Sequence, residues 1–184
     1  MSVQAGSRTT ASLLNQYYGQ SDAVSSVVTA ASFTNLSSVY TIPANEAAYA
    51  GAAYELRCGG NGTWGSTQQE LDFAVSLNGG TFGAGKGGDA ASTAFAASIA
   101  FLWGVTLTVV CVDGVSSWKA LLEVRLQASG SAATSSSAFP LVCVASPSSV
   151  PAASAVTVAL AAKWNTTTGA PTITNQLTTF RKIA

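Results

Sequence analysis

The chain reads as an all-β protein, an antiparallel jelly-roll sandwich of about eight strands preceded by an N-terminal arm. Three observations predict it. Several segments alternate apolar and polar residues with period two, the spacing of a strand with one buried face. Clusters of Gly, Pro, Asn, Asp and Ser separate those segments. The strand-like segments follow one another without the long helical pattern that βαβ units require.

The elements follow in order. Residues 1–32 form the arm. Residues 2–10 are polar, and residues 11–18 (ASLLNQYY) have room for two helical turns with Thr10 as N-cap. Leu13, Leu14, Tyr17 and Tyr18 would then make one apolar docking face. The domain proper is expected over residues 33–184. Residues 39–42 read as a short strand closed by Pro43. Tyr54, Leu56 and Cys58 alternate with Glu55 and Arg57 in the next strand. The stretch 59–65 (GGNGTWG) reads as a loop, with Asn61-Gly62 as its turn. Leu71, Phe73, Val75 and Leu77 form a clean strand that Asn78-Gly79-Gly80 ends.

Residues 90–100 fit a loop leading into a strand better than a helix, because glycines flank them. Residues 105–112 (VTLTVVCV) are rich in β-branched side chains, and Asp113-Gly114 reads as a hairpin turn. Trp118, Ala120, Leu122, Val124 and Leu126 then share one face, opposite Lys119, Glu123, Arg125 and Gln127. Residues 129–137 are a Ser/Ala/Gly loop, 139–144 a short strand and 146–153 another loop. Val156, Val158, Leu160, Ala162 and Trp164 alternate again. Residues 172–183 are the last strand.

Composition narrows the chemistry. The 184 residues hold no histidine and only eight basic and eight acidic side chains. Histidine is the commonest group that titrates or binds metal near neutral pH. No catalytic residue, cofactor site or metal site is read from this sequence. Net charge is zero. Without a basic stripe to neutralise phosphates, nucleic acid is not an expected partner. Cys58, Cys111 and Cys143 stand far apart with no CxxC, so a zinc site is not expected. They read as small buried hydrophobes, with a Cys111–Cys143 bridge possible but not required. Residues 1–19 lack the cationic start and apolar run of a secretory signal. No stretch reaches the roughly 20 apolar residues that span a bilayer, so no membrane partner is expected.

Apparent motifs weaken on inspection. Gly83, Gly85 and Gly88 fit G-x-G-x-x-G, and Gly80, Gly85 and Lys86 fit most of a P-loop. A P-loop needs Ser or Thr after its lysine to hold magnesium, and Gly87 stands there. The dinucleotide fingerprint needs a βαβ setting that this pattern lacks. Glu70 and Asp72 share a strand face, and Glu46 and Glu55 are candidates to approach them. Glycosidases use such carboxyl pairs about 5–10 Å apart, but exposed sheet faces carry them routinely. Serine is abundant without a histidine to activate it or a G-x-S-x-G elbow. Trp64 and Phe82 are the candidate loop contacts for a partner or a sugar, whereas Trp103 and Trp118 read as core. The sequons at Asn35, Asn61 and Asn165 read as chance matches in a chain without a secretion signal.

One stretch carries a resemblance. Residues 40–64 (YTIPANEAAYAGAAYELRCGGNGTW) place a strand ending in TIPAN before a small-residue linker, a YELR strand and a Gly/Asn segment. Together with 118–126 (WKALLEVRL) and 156–183, this resembles the jelly-roll domains of tailed-bacteriophage virion proteins. Those domains are similar in topology to the tumour-necrosis-factor fold. The resemblance spans residues 33–184 and is one of pattern rather than of a diagnostic motif. It implies a homotrimer on the virion surface, as a capsid decoration or head-fibre protein tethered by the arm to the major capsid protein or another virion protein. It implies no catalytic residues. A tail appendage that reads host glycans through Trp64 and Phe82 is the second expectation. A depolymerase using Glu70 and Asp72 is the third.

Overall fold

The computed structural model describes residues 20–22, 26–66, 70–82, 89–90, 98–128, 141–145 and 149–184. These residues form thirteen strands and no helix. The strands are β1 Gln20–Asp22, β2 Ser26–Val28, β3 Thr34–Asn35, β4 Tyr40–Ile42, β5 Ala52–Thr63, β6 Leu71–Leu77 and β7 Gly80–Phe82. They continue with β8 Asp89–Ala90, β9 Ala100–Cys111, β10 Trp118–Ala128, β11 Leu141–Ala145, β12 Val156–Trp164 and β13 Thr172–Lys182.

Every pairing is antiparallel, and the strands divide into two sheets. A seven-stranded sheet runs β1-β13-β5-β9-β10-β11, with β2 also on β13. A six-stranded sheet runs β3-β12-β6-β7, with β4 on β12 and β8 on β6. The inner faces share one apolar core. Leu56, Leu107, Leu122 and Ile173 from the first sheet join Leu71, Val75, Val158 and Leu160 from the second, all buried. Rings cross the gap in sandwich fashion. Phe73 of β6 lies 5.8 Å from Trp103 of β9, and Tyr40 of β4 stacks 5.1 Å from Phe180 of β13. Such ring pairs contribute roughly 0.5–1.5 kcal/mol beyond the area they bury.

All four tryptophans are buried. Burying an indole leaves its N–H in need of an acceptor. Trp103 donates to the Thr174 and Asn61 carbonyls, Trp118 to the Val150 carbonyl and Trp164 to the Val28 carbonyl. Each of these three rings therefore fills the core and ties a distant segment to it.

Three expectations change. The glycine-rich stretch 59–63 is not a loop; it continues β5 and pairs with β9 and β13 together. Its glycines answer a need for close approach. A Cβ on Gly60 would run into the Thr174 carbonyl, and one on Gly62 into the Phe101 ring. The boundary at residue 33 also moves. β1 and β2 pair with β13, Val28 is a core residue, and the Trp164 amide donates to the Ala30 carbonyl, so the domain includes residues from Gln20 onward. Finally, the connection at Asp113-Gly114 is longer than a two-residue hairpin, because Cys111 pairs with Trp118. Asp113 organises that loop by accepting from the amides of Val115, Ser116 and Ser117 and from the Ser117 hydroxyl. Those bonds, the Ser117 amide first, hold its carboxyl well below the usual carboxylate range.

Other readings hold. The inward set Trp118, Ala120, Leu122, Val124 and Leu126 is buried throughout. Asn78 and Gly79 both adopt positive φ between Leu77 and Gly80, the geometry of a two-residue type I′ turn. The strand expected over 139–144 is found as β11. Cys111 is a free, buried thiol, so the Cys111–Cys143 bridge is not formed. The helix expected over residues 11–18, with Leu13, Leu14, Tyr17 and Tyr18, lies outside the described residues, as do residues 83–88 of the phosphate-loop matches.

Candidate functional site

Among the described residues, the outer face of the seven-stranded sheet gathers a set of charged and polar groups. Register explains why they gather. Arg181, Glu55, Thr108 and Leu121 form one row across four strands. Thr179, Arg57, Thr106 and Glu123 form the next, and Leu177, Gly59, Gly104 and Arg125 the third. Alternation along each strand puts all of them on the side away from the core. Of the chain's sixteen charged residues, Glu55, Arg57, Lys119, Glu123, Arg125 and Arg181 lie here, including three of its four arginines.

The third row contains the unusual feature. Gly59 and Gly104 face each other, so two adjacent positions of the sheet carry no side chain. A Cβ at either would meet only ordinary contacts, so the floor there is open. A shallow concavity of about 540 Å³ extends from Gly104 over the neighbouring rows, lined by Glu55, Arg57, Thr106, Leu121, Glu123 and Arg125 among others. Leu102 and Leu177 flank the glycine floor, each 55% exposed. A bulge between Asn175 and Leu177 shifts the register of β13 and sets Leu177 in the Gly59 row.

Charge pairing divides the face in two. Glu55 accepts from Arg57 at 3.0–3.1 Å and from Arg181 at 2.7 Å. Burial works against its ionisation, but the two guanidinium groups outweigh burial and hold the carboxyl below its usual range. Glu123 and Arg125 are both exposed, and among the described residues neither forms an ion pair.

A second cluster surrounds Lys182. Its ammonium lies 3.0 Å from Glu46 and over the rings of Tyr49 and Tyr54. Burial disfavours the Lys182 charge, yet Tyr49 and Glu46 overcome it and raise the pKa above its usual value. Burial pushes the Tyr54 hydroxyl up to about 12, and that hydroxyl has no hydrogen-bond partner among the described residues.

The residues singled out from the sequence are mostly placed elsewhere. Trp64 is 1% exposed and packs edge-on against Phe101 and Trp164, so its ring belongs to the core and not to a contact loop. The tryptophan follows a stretch that looked like a loop and is a central strand. Phe82 ends β7 opposite Val75. The four carboxylates do not converge. Asp72, on the outer side of the six-stranded sheet, binds Lys163 at 3.2 Å. Glu70 precedes β6, Glu46 binds Lys182, and Glu55 lies on the other sheet. Among the described residues no group of three or more His, Cys, Asp or Glu could hold a metal ion. The sequence signalled the alternation of Glu123 and Arg125 along one strand. It carried no signal for their glycine-floored setting, which arises only when β5, β9 and β10 pair. No family model, curated protein or solved structure matches the chain.

Proposed function

We propose that this chain is a non-enzymatic structural protein of a tailed-phage virion, a homotrimeric jelly-roll domain displayed on the capsid surface as a decoration or head-fibre protein. One observation carries most weight: the chain changes sheet at six of the twelve connections between described strands, from β2 to β3, β4 to β5, β5 to β6, β8 to β9, β11 to β12 and β12 to β13. Repeated crossing between two antiparallel sheets is how a jelly roll is wound. Grouping β1 with β2, β3 with β4 and β7 with β8 fills eight strand positions, four per sheet, and leaves β10–β11 as a hairpin that widens the seven-stranded sheet. The low charge agrees with a part that packs against neighbours, since few charges need to be desolvated at its contacts.

In this reading residues 1–19 reach from the trimer to the major capsid protein or another virion protein, with Leu13, Leu14, Tyr17 and Tyr18 as the docking face. The rival reading, a glycan-binding tail appendage, drew on Trp64 and loses its main contact with that ring in the core. Deleting residues 2–19 tests the tether. The expected product is a folded trimer by sedimentation that no longer binds particles. Normal particle binding by the truncated protein would reject it.

A further inference from the structure

We propose that the outer face of the seven-stranded sheet is a contact between two copies of this chain, related by a two-fold axis, with Arg125 of one copy against Glu123 of the other. The proposal rests on the reading that the chain self-associates, and it names a surface that does so.

The charges select the occupant. Glu55 is already engaged by Arg57 and Arg181. That leaves Lys119, Glu123 and Arg125 on the outer side of β10, all exposed, the last two opposite in sign and two residues apart. A site for a net-charged small ligand concentrates one sign of charge. Glu123 and Arg125 set both signs side by side, which matches a surface carrying the same pair in reverse order. A half-turn supplies that surface, because in a two-fold contact residue i meets j while j meets i. Complementary potentials then fix the register of the two copies.

The apolar groups agree. Leu102 and Leu177 stand beside the open floor at Gly59 and Gly104. A leucine of the second copy finds there a concavity of about 540 Å³ that Gly104 lines without a side chain. Burying these leucines supplies attraction that the screened surface charges alone lack. The hairpin β10–β11, outside the eight jelly-roll positions, carries the charged pair and broadens the face.

Sedimentation equilibrium of the full chain tests the contact with Glu123→Arg, Arg125→Glu, their equimolar mixture and the double exchange E123R/R125E. Each single variant places like charges across the axis and is expected to weaken pairing at least tenfold. The mixture sets two arginines against two glutamates and is expected to pair again, as is the double exchange. At concentrations too low for pairing, unchanged melting temperatures are expected for all variants, because both positions are exposed in the single chain. Raising salt on the wild-type protein gives a second readout that needs no variant, and pairing should weaken. A wild-type trimer whose mass ignores both substitutions would remove the two-fold contact and leave the threefold reading standing. Pairs that obey the charge rule without any trimer would do the reverse. A wild-type chain that stays monomeric at high concentration would overturn both.

Discussion

The Trp164 indole N–H donates to the Val28 carbonyl 3.2 Å away, across 136 residues of sequence. One ring of the six-stranded sheet thereby holds the first strands of the seven-stranded sheet. The Trp164 amide adds a bond to the Ala30 carbonyl. Trp164→Phe keeps most of the ring and removes the donor, so it should cost about 1 kcal/mol in urea unfolding. Trp164→Ala also empties the ring's volume and should cost roughly 3–5 kcal/mol. Equal losses from the two variants would deny the indole bond a role.

The glycines of β5 and β9 should divide by what a methyl would meet. Gly60 faces the Thr174 carbonyl, a backbone atom that cannot swing aside. Gly60→Ala should therefore destabilise by about 1–3 kcal/mol. At Gly104 a Cβ would sit 3.9 Å from the Cys58 carbonyl, so Gly104→Ala should be neutral or stabilise by up to about 1 kcal/mol. Thermal melts of the two variants decide the matter.

Glu55 should make the protein sensitive to acid. Its folded carboxyl lies below the ordinary value of 4.5 because Arg57 and Arg181 outweigh the effect of burial. A depressed folded pKa gives stability that is fully present above the unfolded value. That stability fades as pH falls from there through the folded value. Glu55→Gln should lower stability at pH 7 and flatten its pH dependence below about pH 5. A variant with an unchanged acid limb would show that the two arginines do not stabilise the folded carboxylate.

Thiol chemistry should report the core. Burial pushes the Cys58 thiol up to about 12, against hydrogen bonds with Thr178 and Ser37, and burial likewise raises Cys111. Both are free and buried. At pH 8 an alkylating reagent should leave them unmodified in the native protein and modify both in urea. Peptide mass spectrometry reads the two sites directly.

Much of the fold was legible in residue order. Period-two alternation located β6, the inward face of β10 and β12, because each has one large-residue face toward the core. The turn at Asn78-Gly79 was legible because it requires positive φ at both positions. Three features were not. Glycine signals a turn and a close backbone approach equally well, so residues 59–63 looked like loop until β13 and β9 were laid against them. Strands of two or three residues, such as β1 to β3, are too short to show a period. The cluster of Arg57, Glu123 and Arg125 depends on which strands are neighbours, and no local pattern encodes that.

The proposed role requires that the chain be carried in virions, and a mass-spectrometric inventory of purified phage particles from a host that expresses this chain tests it most directly. A structural virion protein should appear intact, in a fixed copy number relative to the major capsid protein, and should survive repeated gradient purification. Finished, infectious particles that lack the chain altogether would contradict it.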